Sequence, residues 1–221
     1  MKNFVTPARY RLIAALLALS TVSGFAQSGA ANTNPNHLLP PNIGELTAKW
    51  WKWALETPAA TNPLIDQTGV DCAVGQSGNV WFLAGSFGST VTRSCTIPAG
   101  KVLFIPVINN IWIPFKTDPI RNAVNSRMLA ALDPATITMS AQIDGVPVMN
   151  LQDYRAQAKA FTLVLPADNI VGEPKGPYGP CAGDGYYLPI AGLSAGPHTV
   201  HVFSQSPATG TTDVTVNVLI L

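Results

Sequence analysis

Short β-type runs separated by turn residues make up most of the chain after residue 69, and this pattern restricts the fold more than any other feature of the sequence. The runs are rich in Val, Ile, Thr and aromatic residues, with Gly, Pro, Asn and Ser between them, as is typical of strands. In the last run Val214, Val216 and Val218 alternate with polar residues, a period of two. Strands are therefore predicted over residues 80–84, 91–97, 101–108, 136–143, 146–151, 161–165, 186–190, 198–204 and 213–221.

Two helices are also predicted. The first runs from Asn42 to about Glu56, because Asn42 can cap it and an acidic residue follows three positions later. The second runs from Pro119 to about Leu132, with Asp118 as its cap. Every fourth residue of the second helix is apolar, which predicts one packed face: Ile120, Val124, Met128 and Leu132. A further short helix is predicted over residues 152–160 and a long loop over residues 166–185.

Many short strands and few helices favour a mainly β fold, an antiparallel β-sandwich of jelly-roll or immunoglobulin-like type decorated with two short helices. The strands do not alternate with helices, so a doubly wound parallel sheet is disfavoured. The length suits a single domain over residues 42–221.

The N-terminus has the pattern of a cleaved secretory signal over residues 1–26. Lys2, Arg9 and Arg11 precede an apolar stretch over residues 12–22, and small residues surround Ala26. Residues 27–41 are polar and Pro-rich, which predicts a flexible mature N-terminus. No later run is long enough for a membrane span, so we expect a periplasmic or secreted protein without a transmembrane segment.

The chain is nearly neutral, with 13 Lys and Arg against 12 Asp and Glu. Such a balance provides no chain-wide attraction to nucleic acid or to anionic lipid, so neither is expected as a partner. Export predicts an oxidising compartment, in which at least one pair of the three cysteines forms a disulfide. Cys72 and Cys95 are the expected pair because they flank one predicted hairpin, which leaves Cys181 free.

Residues 192–196, with Ser194 at their centre, match the Gly-x-Ser-x-Gly spacing of a hydrolase nucleophile elbow. That elbow joins a strand to a helix, whereas a β-type run follows here, which indicates a turn. His198 and His201 are three residues apart on a predicted strand and point to opposite faces, so they cannot bind one metal ion together. Neither a metal site nor a cofactor is predicted.

Acidic residues without a capping or turn role remain candidates for catalysis. Glycoside hydrolysis needs two carboxyl groups about 5–10 Å apart. The candidates are Asp66, Asp71 and Asp184, with Arg93 as an electrostatic partner.

Aromatic and amide residues suggest a site for a small ligand or a sugar, which has apolar faces and hydroxyl edges. Asn109, Asn110 and Trp112 lie together in a predicted loop, and Tyr186 follows the long loop as a second rim. Trp50, Trp51 and Trp53 form a denser group, but the charged stripe on the opposite helix face assigns that group mainly to the core.

Five segments together resemble a family of small exported bacterial proteins of unknown function. They are WWKWA at 50–54, NPLID at 62–66, CAVGQ at 72–76, VWFLAG at 80–85 and PAGK at 98–101. The resemblance implies export and a shared core, and it assigns no catalytic residue.

The leading hypothesis is therefore an exported protein that binds an extracellular glycan or another small ligand. One alternative is a hydrolase or lyase that acts on an extracellular polymer. The second alternative is a structural protein associated with the cell envelope.

Overall fold

The computed structural model describes residues 43–221, which fold into two β-sheets and two α-helices. The predicted signal peptide over residues 1–26, the predicted N-terminal segment over residues 27–41 and the predicted cap Asn42 lie outside the described residues. The helices are α1 (Ile43–Glu56) and α2 (Ala123–Ala130). The strands are β1 (Val80–Phe82), β2 (Thr90–Ile97), β3 (Val102–Trp112), β4 (Thr138–Ile143), β5 (Val146–Pro147), β6 (Arg155–Gln157), β7 (Phe161–Leu165), β8 (Gly176–Ile190), β9 (Gly196–Ser206) and β10 (Gly210–Ile220).

The two five-stranded sheets confirm the sandwich-like, mainly β architecture. The first sheet has the order β1-β3-β8-β6, with β7 also paired to β8, and the second has the order β2-β10-β9-β4-β5. Most neighbours are antiparallel, but β1 pairs with β3 and β2 pairs with β10 in parallel. Each sheet is therefore mixed. Only β2 separates β1 from β3 in the chain, whereas β2 and β10 are distant from each other.

Two hydrophobic clusters divide the core into layers. The larger cluster lies between the sheets, where Leu103 and Ile105 of β3 meet Val200 and Val214 of the second sheet. The smaller cluster lies on the other side of the first sheet, where Trp50 of α1 joins residues of β3, β7 and β8. The protein thus has three layers: α1, the first sheet and the second sheet.

The helix α1 forms because one of its faces is apolar and the other is charged. Trp50, Ala54 and Leu55 are buried, whereas Lys49 and Lys52 are on the solvent side. The indole Nε1 of Trp50 donates to the carbonyl oxygen of Leu83 at 2.9 Å, which fixes α1 against the loop that follows β1. The predicted first helix is confirmed.

The second helix is shorter than predicted, and the face that it packs against the rest of the protein is not the predicted one. Asn122, not Asp118, caps it, since the Asn122 side chain accepts from the backbone N–H of Asn125. Its buried residues are the small Ser126 and Ala130, which allow close approach to the first sheet. The predicted packed face was wrong, because Val124 and Met128 are 67% and 65% exposed.

The segment from residue 151 to residue 190 also differs from the prediction. A 3₁₀ turn (Leu151–Tyr154) and β6 replace the predicted short helix. The predicted long loop ends at residue 175, because the Gly- and Pro-rich segment that follows is the long strand β8. In this strand Cys181 is buried and free, and Tyr186 is buried.

The disulfide between Cys72 and Cys95 is confirmed and joins the loop before β1 to β2. In the described part of the chain, no helix is both long and apolar enough to cross a membrane.

Candidate functional site

A cavity of about 330 Å³ lies where α1, β3 and four loops meet. Its volume is at the lower end of the range of small-molecule sites, about 300–1,000 Å³. Among residues 43–221, no Asp, Glu, Lys, Arg or His contributes to the lining. Most of the lining is apolar: Trp50, Trp51, Leu55, Leu64, Phe87, Pro106, Val107, Ile108, Ile111, Ile113, Ile170 and Val171. The polar side chains are Ser86, Asn109, Asn110, Thr209 and Thr212.

A β-bulge in β3 brings Asn109 to the α1 side of the first sheet. The pairing of β3 with β8 shifts register between Pro106 and Ile108. Before the bulge, Leu103 and Ile105 face the second sheet, and a regular period of two would place Asn109 on that same side. Beyond the bulge, Ile111 packs in the α1 cluster instead. Because of the extra residue, each side chain beyond the bulge lies on the opposite side of the sheet from the side that a regular strand would give it. Asn109 is therefore directed toward the cavity.

Three buried polar atoms near this cavity lie close together without a hydrogen bond of regular geometry among the described residues: Nε1 of Trp51, Nδ2 of Asn109 and the hydroxyl of Tyr187. Trp51 and Asn109 also line the cavity. Burial raises the pKa of Tyr187, and hydrogen bonding of Asn109 and Trp51 to its hydroxyl opposes this rise. Buried polar groups are normally satisfied by hydrogen bonds, and these three groups together form a polar patch next to the cavity.

Two glycines of β8 make room for this polar cluster. A Cβ atom at Gly183 would lie 2.6 Å from Nε1 of Trp51, closer than side-chain packing permits. A Cβ atom at Gly185 would lie 2.7 Å from Cβ of Asn109 and 2.8 Å from Cε2 of Tyr187. The glycine content that made this segment resemble a loop therefore has a packing reason.

Arg93 holds one wall of the cavity through backbone carbonyls. Its guanidinium donates to Leu64 at 3.1 Å, Asp66 at 2.6 Å, Ala84 at 3.0 Å and Gly85 at 2.8 Å. Burial lowers the pKa of Arg93 and the Asp66 carboxylate raises it. Leu64 and Gly85 line the cavity, so the sequence candidate Arg93 acts as a support for the wall.

The loop over residues 166–175 forms another wall, and two polar side chains fix its shape. The amide of Asn169 donates to the carbonyls of Pro166 and Glu173 at 2.7 Å each, and its oxygen accepts from the N–H groups of Val171 and Glu173. Asp168 accepts from the backbone N–H of Ala60 at 3.2 Å. These bonds position Ile170 and Val171 at the cavity.

Of the four predicted binding residues, two line the cavity and two do not. Asn109 and Asn110 are in the lining, and Nδ2 of Asn110 also donates to the carbonyl of Ala130 at 3.1 Å. Trp112 is the last residue of β3, not part of a loop, and its Nε1 is buried without a partner. Tyr186 is only 3% exposed and packs in the core between the sheets.

Asp184 has structural partners in the interior. Its carboxylate pairs with Arg155, with Nη2 to Oδ2 at 2.7 Å and Nε to Oδ1 at 3.1 Å, and it accepts from the N–H of Leu132 at 2.8 Å. Arg155 also lies 5.9 Å from the ring centre of Tyr186. The arrangement links β6, β8 and the residues after α2.

Asp66 and Asp71 belong to one turn. The carboxylate of Asp66 accepts from the N–H groups of Thr68 at 2.8 Å and Asp71 at 3.0 Å. Asp66 and Arg93 also line a void of about 10 Å³, which has room for about one water molecule.

The segment around Ser194 has part of the geometry of a catalytic triad. Nδ1 of His198 lies 2.7 Å from Asp144, and Nε2 lies 3.4 Å from the hydroxyl of Ser194. The nearer partner of Nε2 is the carbonyl oxygen of Ser194 at 3.0 Å, which only accepts. A general base needs this nitrogen free to take the serine proton. The side chain of His198 on β9 therefore connects two turns, the one at Asp144 and the one at Ser194. This agrees with the turn predicted for residues 192–196.

His201 pairs with Asp213 at 2.8 Å, separately from His198. Within residues 43–221, no group of three or more His, Cys, Asp or Glu is placed to hold a metal ion.

Sequence reasoning missed several residues that build the cavity. Trp51 lies in the hydrophobic core, as predicted for the three tryptophans, but it also lines the cavity, which the sequence did not indicate. No signal in the sequence indicated Ile170 and Val171, or Asn169, which fixes the shape of their loop. Their role depends on the position of this loop over β3.

No protein-family model matches the chain, and neither a curated protein nor a solved structure matches it.

Proposed function

We propose that the protein is exported and binds one small, uncharged and largely apolar molecule in the cavity between α1 and β3. The observation that carries this proposal is the lining: a concave apolar surface with amides and hydroxyls and no charged side chain. Apolar walls favour a ligand by removing its surface from water, and a few polar groups fix its orientation.

The uncharged lining favours a neutral ligand. Moving an ionised group from water into such a site is unfavourable unless an opposite charge or several hydrogen bonds compensate it. Asn109, with the adjacent Trp51 and Tyr187, offers a polar end that suits one oxygen-bearing group on the ligand.

A glycan is the less favoured ligand within this proposal. Each sugar hydroxyl needs a hydrogen-bonding partner when it leaves water. The faces of Trp50 and Trp51 are largely covered by packing, since these residues are 1% and 5% exposed. A single sugar ring with an apolar substituent fits better than a polymer.

Export is supported by the N-terminal sequence pattern together with the Cys72–Cys95 disulfide. Mass spectrometry of the protein recovered after export tests this part: a mature chain that begins at Gln27 supports it, and a retained N-terminus contradicts it.

Ligand binding is tested by native mass spectrometry and thermal shift with three sets of compounds: neutral apolar alcohols, ketones and esters; their carboxylate or amine analogues; and mono- and oligosaccharides. Ala208 is exposed at the cavity, so Ala208→Trp should fill it without disturbing the core. Ala135→Trp, at an exposed alanine outside the lining, is the matched control.

We expect neutral apolar compounds to raise the Tm of the wild-type protein and of the Ala135→Trp variant. The same compounds should leave the Tm of the Ala208→Trp variant unchanged. Binding confined to charged compounds, or binding that Ala208→Trp leaves intact, would contradict the proposal.

A further inference from the structure

Exposed apolar side chains and cations without an ion pair among the described residues occur together on α2 and on the segment just before it. We define the α2 surface by Ile120, Val124 and Met128 together with Lys116, Arg121 and Arg127, all of which are exposed. The three apolar side chains are 53%, 67% and 65% exposed. Several exposed apolar side chains on one short segment are a feature of interaction sites.

The helix is held firmly on its other side. The hydroxyl of Ser126 donates to the carbonyl of Pro180 at 2.6 Å, and Asn110 donates to the carbonyl of Ala130. Ser126 and Ala130 are each 1% exposed. The direction of the apolar face is therefore set by tertiary packing, and fraying does not explain its exposure.

The cations of the α2 surface lack acidic partners. In the part of the chain that the structure describes, ion pairs form at Arg155, His198 and His201, not at Lys116, Arg121 or Arg127. The two nearest acids in sequence bond to backbone N–H groups: Asp118 to Phe115 at 2.7 Å and Asp133 to Ala135 at 3.0 Å.

We propose that the α2 surface docks the protein onto a membrane that contains anionic phospholipid, with Ile120, Val124 and Met128 at the headgroup boundary and the three cations against lipid phosphates. Apolar residues beside Lys and Arg on a short helix and the segment before it have the composition of an interfacial element, which lies in the plane of the membrane without crossing it. The cations complement the negative charge of the lipid surface.

The charge around α2 differs from the net charge of the chain, from which no binding to anionic lipid was expected. Residues 43–221 contain ten Lys and Arg and twelve Asp and Glu, so their total formal charge offers no attraction to anionic lipid. Three of the ten cations, however, lie within twelve residues of one another around α2. Because screening limits electrostatic attraction to about 10 Å, the local group determines the interaction with a surface.

The test measures co-sedimentation of the exported protein with vesicles of pure phosphatidylcholine and with vesicles that also contain phosphatidylglycerol. Two double variants separate the electrostatic contribution from the apolar one. Arg121→Gln with Arg127→Gln removes two cations, and Val124→Asn with Met128→Gln removes two apolar side chains. The control pair Lys159→Gln with Lys175→Gln removes two exposed cations from other segments. Thermal melting of each variant confirms that the domain remains folded.

We expect binding to the anionic vesicles, weakened by added salt. The arginine pair should lower the partition coefficient by about tenfold or more, given about fivefold for each cation removed. The Val124 and Met128 pair should lower it at every salt concentration, and the control pair should change it little.

Absence of binding to anionic vesicles, or equal binding by all variants, would overturn the proposal. So would a reversible dimer in sedimentation that the Val124 and Met128 pair abolishes while vesicles remain unbound, because the surface would then pair with a second copy. Membrane docking does not depend on a ligand in the cavity. Vesicle binding by Ala208→Trp, which fills the cavity, would show that the α2 surface and the cavity act independently.

Discussion

Nη1 of Arg93 donates to the carbonyl oxygen of Gly85 at 2.8 Å and thereby ties the second sheet to the loop that lines the cavity. Arg93 lies on β2, and the same guanidinium also reaches Leu64, Asp66 and Ala84. A planar fork of donors suits several carbonyls at once, which a lysine ammonium cannot match.

Arg93→Met should therefore lower the free energy of unfolding by about 3 kcal/mol or more, because it leaves several buried carbonyls without donors. Arg93→Lys should have an intermediate effect, and the exposed Arg127→Met should change stability by about 0.5 kcal/mol or less. Urea denaturation at neutral pH measures all three. Equal stability of Arg93→Met and the wild type would show that the carbonyls find other donors.

Removal of the Cys72–Cys95 disulfide should also destabilise the domain. The bond closes a loop with a sequence separation of 23 residues, for which chain entropy predicts about 3 kcal/mol. The double variant Cys72→Ser with Cys95→Ser should lose this amount in urea denaturation, and reduction of the wild type should reproduce the loss. A loss below about 1 kcal/mol in both experiments would contradict the prediction.

The remaining thiol should be unreactive in the folded protein. Burial raises the pKa of Cys181 to about 11, and the nearby N–H of Leu163 opposes this rise only in part. The thiolate is the reactive form, so alkylation at pH 8 should be slow without denaturant and complete after unfolding. Intact mass after iodoacetamide treatment measures this, with Cys181→Ser as the unlabelled control; rapid labelling of the native protein would contradict it.

The fold could be predicted from sequence wherever local pattern and tertiary environment agree. The alternation in β10 and the charged stripe of α1 both correspond to one buried and one exposed side, so their type was predicted correctly. Only the end of β8, residues 186–190, was predicted as a strand, because the glycines and prolines before it are typical of loops. Gly183 and Gly185 instead leave room for Trp51 and Asn109 to pack closely. Local propensity does not encode such a long-range requirement.

The site was harder to predict for two physical reasons. A single extra residue in β3 determines which face Asn109 occupies, and no sequence signal locates that bulge. In α2 the apolar residues recur at helical spacing, but the spacing alone does not distinguish a face packed on the core from a face turned outward. The small side chains of Ser126 and Ala130 are the ones that allow the helix to approach the sheet.

Low pH should reduce the contribution of Asp66 to stability. Partial burial raises the pKa of this carboxyl, but hydrogen bonds from Asp71, Thr68 and Gly69 outweigh burial and leave the pKa below its usual value. Since the folded pKa is below the unfolded value near 3.9, the stabilisation is complete above that value and is lost as pH falls through the folded pKa.

The difference in stability between the wild type and Asp66→Asn should therefore be constant from pH 7 to pH 5 and should shrink below about pH 4. Urea denaturation at pH 7, 5 and 3 measures it, with Asp71→Asn as the comparison within the same turn. A difference that stays constant down to pH 3 would exclude a role for the ionised carboxylate.

The hydroxyl of Tyr187 should matter little at neutral pH and considerably at alkaline pH. Among the described residues it approaches Trp51 and Asn109 without a hydrogen bond of regular geometry, so Tyr187→Phe should change the free energy of unfolding by less than about 1 kcal/mol at pH 7. Tyr178→Phe is the matched control, since that hydroxyl donates to the carbonyl of Pro174 at 2.8 Å and its loss should cost about 1 kcal/mol.

Burial raises the pKa of Tyr187 above the usual value near 10, so the unfolded chain releases this proton at a pH where the folded protein retains it. Stability from the protonated hydroxyl is thus complete below about pH 10 and declines as pH rises further. Denaturation at pH 7, 9 and 11 should show Tyr187→Phe gaining stability relative to the wild type only above about pH 10. A constant difference across this range would mean that the hydroxyl ionises equally in both states and that its environment is not closed to water.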